Sequence, residues 1–289
     1  MPEEPSDPLQ AIARSDRWEI CAAATGRSVP WLMARDLCTL EALKSSEGEG
    51  AAALARRMAR AVLDEQPLAQ VVGHTQFFGR RFWVNQAVLI PRSDSECLIH
   101  AALGVIQQQW PVARRALRIL DLGTGSGCLA ITLALEAQTQ GIPVEITATD
   151  LSADALRMAK SNAVWLGASV IFLKGSWTEA LPSDDGRFDL ILSNPPYLSG
   201  SDPHLADKSL QFEPMLALVG IDQDSDGLQA YRAIVPQARS RLEPSGALLV
   251  EHGWTQQAAV ADLIRSTGFT SAERLTDLAG RPRAVLAHL

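Results

Sequence analysis

The stretch Ile119-Leu-Asp-Leu-Gly-Thr-Gly-Ser-Gly127 decides the fold of this 289-residue chain. Its apolar start predicts a buried strand, and the glycines after it predict a tight turn into a helix. A dinucleotide-binding fingerprint has the spacing G-x-G-x-x-G, and here its third glycine would fall on Cys128. The loop therefore differs from that fingerprint, and an acid, Asp121, stands just before it.

From residue 116 onward, apolar strand patterns alternate with helical patterns. Strands with nearly continuous apolar runs, separated by helices, predict an α/β fold with a mostly parallel sheet. The predicted strands are 117–122, 144–149, 170–173, 188–193, 247–251 and 284–287, and the predicted helices between them are 128–138, 153–166, 227–241 and 256–266.

Two further regions precede the sheet. Residues 1–70 read as helices without a β-branched run, which predicts a small helical bundle. Residues 71–92 predict a linking β-hairpin, because Gln76-Phe-Phe and Phe82-Trp-Val flank Gly79-Arg-Arg81. Its three arginines, Arg80, Arg81 and Arg92, are either a docking edge for a partner or simply solvated side chains. Residues 93–289 then form the sheet domain.

Composition indicates an ordinary globular protein, with 47% hydrophobic and 20% charged residues. The net charge is −7, and residues 1–70 carry eight basic and eleven acidic residues, so the chain lacks the basic field that favours nucleic acid. Its four cysteines are scattered, which predicts reduced thiols in a cytoplasmic protein and no metal site. The acidic start is unlike a signal peptide, and we expect no membrane span.

Two acids suggest the kind of ligand that the loop binds. Asp121 suits a ligand with a positive amino group or sulfonium, and it would repel a pyrophosphate. Asp150 ends the next strand, where a carboxylate can bind the hydroxyls of a ribose. Together with the glycines, which are expected to bring backbone N–H groups against the ligand, these acids favour S-adenosylmethionine over NAD.

The tetrad Asn194-Pro-Pro-Tyr197 follows the strand 188–193. Two prolines and a surface tyrosine would suit a simple strand-ending turn. A functional interpretation explains more. If the Asn194 side-chain oxygen and the Pro195 carbonyl each accept a hydrogen from a conjugated NH2 group, its nitrogen is aimed at a methyl group, with Tyr197 packed on the flat face of the substrate. Both glutamine amides and adenine carry such a nitrogen.

With these motifs the chain resembles the class I S-adenosylmethionine-dependent methyltransferases. Within them it resembles the protein-(glutamine-N5) methyltransferases, and most closely the branch that acts on peptide-chain release factors. The resemblance also rests on Val88-Leu-Ile-Pro-Arg92 with Glu96, Asp202-Pro-His-Leu205, Phe212-Glu-Pro214 and Glu251-His-Gly-Trp254.

The resemblance implies a Rossmann-like sheet and a glutamine target in the Gly-Gly-Gln loop of class I release factors. The helical bundle would be a substrate-recognition domain. The implied donor-binding residues are Asp121, Gly123, Thr124, Gly125, Ser126, Gly127, Asp150, Trp177 and Asn194. The implied catalytic residues are Asn194, Pro195 and Tyr197, and Pro196 joins them in binding the substrate.

Three other functions stay open from the residues alone. They are methylation of a ribosomal-protein glutamine, adenine-N6 methylation of nucleic acid, and donor binding without transfer. The acidic N-terminal region favours a protein substrate, and the intact tetrad disfavours a mere binding module.

Three residues outside these motifs invite a chemical interpretation. For His252 we favour a packed histidine beside a core Trp254, because amide methylation needs no histidine base. Glu213 either shapes the substrate pocket or caps a turn. Cys128 is expected to be a small packing residue and not a nucleophile.

Overall fold

The computed structural model describes residues 7–183, 186–221, 226–277 and 279–289. The chain divides into two compact units, one of residues 1–74 and 206–212, the other of residues 75–205 and 213–289. The sequence-based division into 1–70, 71–92 and 93–289 stays a prediction, because compactness does not show which segments function separately.

The first unit contains a helical bundle. Helix α1 ends at Gly26, whose positive φ of 71° suits a left-handed cap, and the Thr39 side chain caps α3 by accepting from Ala42 N at 3.2 Å. Ala55 and Ala59 are fully buried on α4, so small side chains allow close helix packing. The helices are α1 Arg14–Thr25, α2 Val29–Met33, α3 Leu40–Glu47, α4 Glu49–Leu63 and α5 Leu68–Val72.

A two-stranded sheet follows, formed by β1 His74–Phe77 and β2 Arg80–Trp83. The rings of Phe77 and Phe82 meet edge to face with centroids 6.1 Å apart, and both side chains are buried. The structure thus contains the hairpin that the Gly79 turn predicts.

The second unit is built on a seven-stranded sheet with the order β5-β4-β3-β6-β7-β9-β8. Strands β3 to β7 are parallel, while β9 is antiparallel to both β7 and β8. The strands are β3 Leu117–Leu122, β4 Val144–Asp150, β5 Ile171–Lys174, β6 Phe188–Ser193, β7 Leu242–Glu251, β8 Glu273–Thr276 and β9 Pro282–His288.

Helices cover both faces of this sheet. They are α6 Glu96–Ala113, α7 Cys128–Thr139, α8 Ala153–Leu166, α9 Met215–Leu218, α10 Gln229–Arg241 and α11 Gln257–Ser266. Successive strand residues enter opposite cores: Ile119 belongs to the cluster that contains Ile99 of α6, whereas Leu120 belongs to the cluster that contains Ile234 of α10. Apolar runs on the central strands therefore reflect burial on both faces.

The predicted α/β fold with a mostly parallel sheet is confirmed, and the differences lie at its edge. The sequence pattern does not predict strand β8, because Glu273–Thr276 is largely exposed and shows neither an apolar run nor alternation. Asp94 is a plausible N-cap in the sequence and predicts a helix through about residue 108, whereas helix α6 begins at Glu96, after a short 3-10 turn over Ser93–Ser95, and runs to Ala113. Within the described part of the chain, no helix is long and apolar enough to cross a membrane.

The strand register brings the predicted motifs to one edge of the sheet. Leu122 pairs with Thr149 on one side and with Ser193 on the other, and Ser193 pairs with Val250. Strand order reverses between β3 and β6, so the carboxyl ends of these two strands border the crevice where α/β folds bind ligands.

Candidate active site at the carboxyl ends of the strands

Asp121 is a fully buried carboxylate beneath the glycine loop. Thr124 Oγ1 donates to Asp121 Oδ2 at 2.6 Å, while Oδ1 has no hydrogen-bond partner among the described residues. The pKa of Asp121 is raised to about 7, mainly by burial and also by the nearby charge of Asp150, although the Thr124 hydrogen bond lowers it. An unpartnered buried carboxylate oxygen favours a cationic ligand.

The glycine loop is held by its own backbone. Gly123 N and Thr124 N both donate to Thr149 O at 2.9 Å, and Gly127 N donates to Thr124 O at 2.8 Å. Gly125 N donates to Asp150 Oδ2 at 2.9 Å. The expectation that these N–H groups face the ligand is therefore wrong for these four residues, because each N–H already donates to an oxygen of the protein.

Two loop glycines are required by close approach. A Cβ on Gly123 would lie 3.3 Å from the Trp177 indole, and one on Gly127 would lie 2.7 Å from Ile131 Cδ1. Both residues also have positive φ angles, 73° and 82°. Gly123 thus leaves space under the indole, and Gly127 lets the loop pack against the start of α7.

Asp150 ends β4 with both carboxylate oxygens engaged. Oδ2 accepts from Gly125 N, and Oδ1 accepts from Ser152 N at 2.8 Å. Burial raises its pKa, while these hydrogen bonds lower it. Each oxygen keeps a second lone pair, so the carboxylate can still accept from a hydroxyl group.

Trp177 has a left-handed backbone, with φ of 47°, which is uncommon for a residue with a side chain. The next residue holds this conformation in place. Gln237 Oε1 accepts from Thr178 N at 3.1 Å and from Thr178 Oγ1 at 2.9 Å. Local strain supported by specific hydrogen bonds is typical of ligand sites.

A cavity of about 360 Å³ opens at this edge of the sheet. It brings together the glycine loop, the β4 end, the indole and the tetrad. Among the predicted residues, those that line it are Gly123, Thr124, Gly125, Ser126, Asp150, Trp177, Asn194 and Pro196. Asp121, Gly127, Pro195 and Tyr197 do not line it.

Asn194 presents one end of its amide to the protein. Its Nδ2 donates to Ser95 Oγ at 3.1 Å, and Ser95, which sequence reasoning missed, also lines the cavity. Neither Asn194 Oδ1 nor Pro195 O accepts a hydrogen bond from the described residues. Two acceptors at adjacent positions are thus available to an NH2 group.

Tyr197 is positioned by its backbone. Gln256 Nε2 donates to Tyr197 O at 2.9 Å, and a Cβ on Gly227 would lie 2.2 Å from the same oxygen. Burial raises the pKa of the Tyr197 phenol to about 12. This hydroxyl is therefore neutral at physiological pH and is not a general base.

The structure also decides the remaining sequence hypotheses. His252 is fully buried as expected, but Trp254 is 64% exposed, so the predicted core tryptophan is wrong. Glu213 accepts from Ile90 N at 2.9 Å and pairs with Arg92, so it anchors the Leu-Ile-Pro-Arg segment and does not line the cavity. Burial raises the pKa of Cys128 to about 12, which agrees with an inert thiol.

Two of the three hairpin arginines already have partners within the chain. Arg80 pairs with Glu136 at 2.6 Å, and Arg92 pairs with Glu213. Arg80 and Arg92 therefore do not form a free basic docking edge. Among the described residues, no group of three or more His, Cys, Asp or Glu side chains could hold a metal ion.

Comparisons with known proteins agree with this geometry. A family model described as a methyltransferase domain matches residues 113–277. A release factor glutamine methyltransferase of Bordetella pertussis is 44% identical over 259 residues, covering 89% of this chain and 88% of that protein. One of Neisseria gonorrhoeae is 41% identical over 232 residues, covering 80% of each.

A solved structure supports the fold alone. The N-terminal domain of human METTL16 in complex with SAH superposes with a TM-score of 0.52 at 17% identity, covering 84% of each chain. The predicted Rossmann-like methyltransferase sheet is thereby confirmed. Because these relatives are more than 40% identical over most of both chains, this chain belongs to the release factor glutamine methyltransferase family.

Proposed function

We propose that this chain transfers a methyl group from S-adenosylmethionine to the side-chain amide nitrogen of a glutamine, the one in the Gly-Gly-Gln loop of class I release factors. The names of its relatives support the substrate class. The observation that carries the chemistry is a pair of acceptors that no described residue occupies: Asn194 Oδ1, on a residue that lines the glycine-loop cavity, and Pro195 O, on the residue after it.

The residues present fit a sulfonium donor. The unpartnered Asp121 Oδ1 supplies negative charge under the loop, and Gly123 leaves space below the Trp177 ring. Asp150 lines the same cavity and offers carboxylate lone pairs to a ribose. When bound, the donor supplies an electrophilic methyl group, and these residues hold it in place.

The acceptor end of the site works by positioning. An amide nitrogen is a weak nucleophile because its lone pair is delocalised into the carbonyl. If Asn194 Oδ1 and Pro195 O each accept one N–H of the substrate amide, the nitrogen is fixed in one orientation toward the methyl group. Preorganised acceptors of this kind contribute on the order of several kcal/mol.

No side-chain base is required for this reaction. The C–N bond forms as the carbon–sulfur bond breaks, and the alkylated amide nitrogen is acidic enough to release its proton to water. Two titratable side chains near the tetrad and the glycine loop, Tyr197 and Cys128, have pKa values of about 12. They are protonated at neutral pH.

The acidic helical region suits recognition of a protein. Residues 1–70 carry a net charge of −3, which disfavours a polyanionic substrate there. We assign binding of the release factor to this region and binding of the target glutamine to the Asn194–Tyr197 tetrad.

The test is a labelled-methyl transfer assay with purified substrates. A class I release factor should be labelled, and its Gln→Ala variant in the Gly-Gly-Gln loop should not. A large-subunit ribosomal protein and adenine-containing duplex DNA serve as the other substrate classes. Equal labelling of both release factor forms, or labelling of only the ribosomal protein or DNA, would contradict the proposed function.

A further inference from the structure

Glu251 lies beside Asn194 because of the strand register. Ser193 at the end of β6 pairs with Val250 of β7, and Asn194 and Glu251 are the residues that directly follow this pair. Glu251 is 1% exposed and does not line the cavity. A buried acid directly behind a ligand-facing amide is costly unless it has partners.

Ser95 connects the two side chains. Its Oγ accepts from Asn194 Nδ2 at 3.1 Å, which leaves the hydroxyl hydrogen available to donate. Hydrogen bonds from both Ser95 and Asn194 stabilise the charged form of Glu251. The three side chains thus form a chain that runs from the cavity wall to a buried carboxylate.

We propose that Glu251 and Ser95 are positioning residues that fix the orientation of the Asn194 amide, with Nδ2 toward the protein and Oδ1 toward the substrate. This inference rests on the proposed function, because it assigns a task to residues behind the amide-binding group. It extends the site by two residues that lie outside the Asn-Pro-Pro-Tyr tetrad.

The orientation matters because an asparagine amide can flip. A flipped Asn194 would present its own NH2 to the substrate NH2, and two donors cannot pair. Hydrogen bonds donated by Nδ2 toward an anion also polarise the amide and make Oδ1 a stronger acceptor. Only a charged Glu251 provides both effects, since a protonated carboxyl can itself donate to the amide.

The surroundings keep Glu251 near its titration point. The pKa of Glu251 is raised to about 7, mainly by burial and also by Asp94, although Ser95, Arg283 and Asn194 lower it. Arg283, on the antiparallel partner strand β9, forms ion pairs with Asp94 at 2.7 Å and with Asp277 at 3.6 Å. Glu251 Oε2 accordingly has no hydrogen-bond partner among the described residues. The other titratable groups that interact with this carboxylate are Tyr197, Tyr231, Cys97 and Cys128.

The kinetic test uses Glu251→Gln, Ser95→Ala and the double variant at saturating donor. Each single variant should lower kcat at least about tenfold, with the donor KM unchanged within about threefold. The kcat of the double variant should be only slightly lower than that of the more impaired single variant, because both residues act through one amide. Wild-type kcat should fall as pH falls below about 7, and the kcat of Glu251→Gln should be low and independent of pH across that range.

The matched control is Asp277→Asn, because Asp277 is a buried acid that also borders Arg283. This variant should keep kcat within about twofold of wild type.

A second readout does not depend on transfer. The Glu251 carboxyl can be titrated by infrared difference spectroscopy of wild type against Glu251→Gln. Because Ser95 and Asn194 lower its pKa, Ser95→Ala and Asn194→Ala should each raise the titration midpoint. Unchanged midpoints, or wild-type kcat in both single variants, would overturn the inference. A wild-type enzyme that labels no release factor but shows the raised midpoints would instead contradict the proposed function.

Discussion

Asn162 on helix α8 holds the backbone of Trp83 by two hydrogen bonds. Its Oδ1 accepts from Trp83 N at 2.8 Å, and its Nδ2 donates to Trp83 O at 3.0 Å. The same Nδ2 donates to Ser126 O at 2.9 Å. One fully buried amide therefore joins strand β2 to the glycine loop. The hairpin is part of what shapes the donor site.

Asn162→Ala should destabilise the protein by about 3 kcal/mol, because a fully buried amide that makes three hydrogen bonds to the backbone is removed. Binding of S-adenosylhomocysteine should also weaken, since Ser126 is no longer tied. Urea unfolding and titration calorimetry measure the two effects. Ser161→Ala is the control, because its exposed hydroxyl only bonds Arg157 O, and it should stay within about 0.5 kcal/mol. Equal stability of the two variants would refute the assigned role.

Gly227→Ala should disturb the tetrad. The new Cβ would lie 2.2 Å from Tyr197 O, so the Tyr197 backbone must move, and kcat should fall at least about tenfold. Gly167→Ala isolates the backbone strain, since its φ is also positive, 74°, but no atom lies within 4 Å. It should cost about 1–2 kcal/mol of stability and leave kcat unchanged. Similar kcat values for both variants would argue against a clash at Tyr197.

Gln237 should control donor affinity through Trp177. Gln237→Leu removes the acceptor for Thr178 N and Oγ1, so the strained Trp177 turn loosens and S-adenosylhomocysteine should bind roughly tenfold more weakly. Gln237→Glu keeps an acceptor oxygen at that position and should retain more of the affinity. Calorimetry on both variants decides, and a weaker complex with Glu than with Leu would contradict this account.

Asp121 should lower the stability of the free protein and increase its affinity for the methyl donor. Its folded-state pKa of about 7 exceeds the ordinary 3.8, so the folded protein binds more protons than the unfolded chain between those values, and stability falls as pH rises through them. Asp121→Asn removes the buried charge. It should raise Tm of the free protein at pH 8 by about 2 °C or more, and by much less at pH 5.

The same variant should bind S-adenosylmethionine at least about tenfold more weakly, because the negative charge beneath the glycine loop that attracts a cationic ligand is removed. Thermal unfolding and calorimetry must therefore move in opposite directions at pH 8. A lower Tm at pH 8, or undiminished donor affinity, would show that Asp121 has a structural role instead.

Sequence patterns located the central strands and the motif positions because these rest on local chemistry. The strand that contains Asp121 and the strand before Asn194 are mostly apolar, and their predicted bounds, 117–122 and 188–193, coincide with β3 and β6. Parallel pairing then places their carboxyl ends together. By contrast, the exposed strand β8 carries no such pattern.

The supporting residues could not be found in this way. Ser95 and Asn194 are 99 positions apart, and Asn162 and Trp83 are 79 apart, so no local spacing links them. The exposure of Trp254 cannot be read from the sequence, because a tryptophan's burial depends on the fold around it, and here it lies after β7 with 64% of its surface exposed. The loop N–H groups were assigned to a ligand because the competing acceptor, Thr149 O, belongs to a different strand.

The most direct test of the central claim is Asn194→Ala, compared with wild type in single-turnover methyl transfer to a release factor and in calorimetric binding of S-adenosylhomocysteine. The site predicts that transfer falls about 100-fold or more, because one of two acceptors for the substrate amide is removed. It also predicts that the binding constant changes less than about threefold, since the donor is held mainly by the loop, Asp150 and Trp177. Transfer within a few-fold of wild type, or a loss of donor affinity that accounts for the slower reaction, would contradict the role of Asn194 in holding the substrate amide.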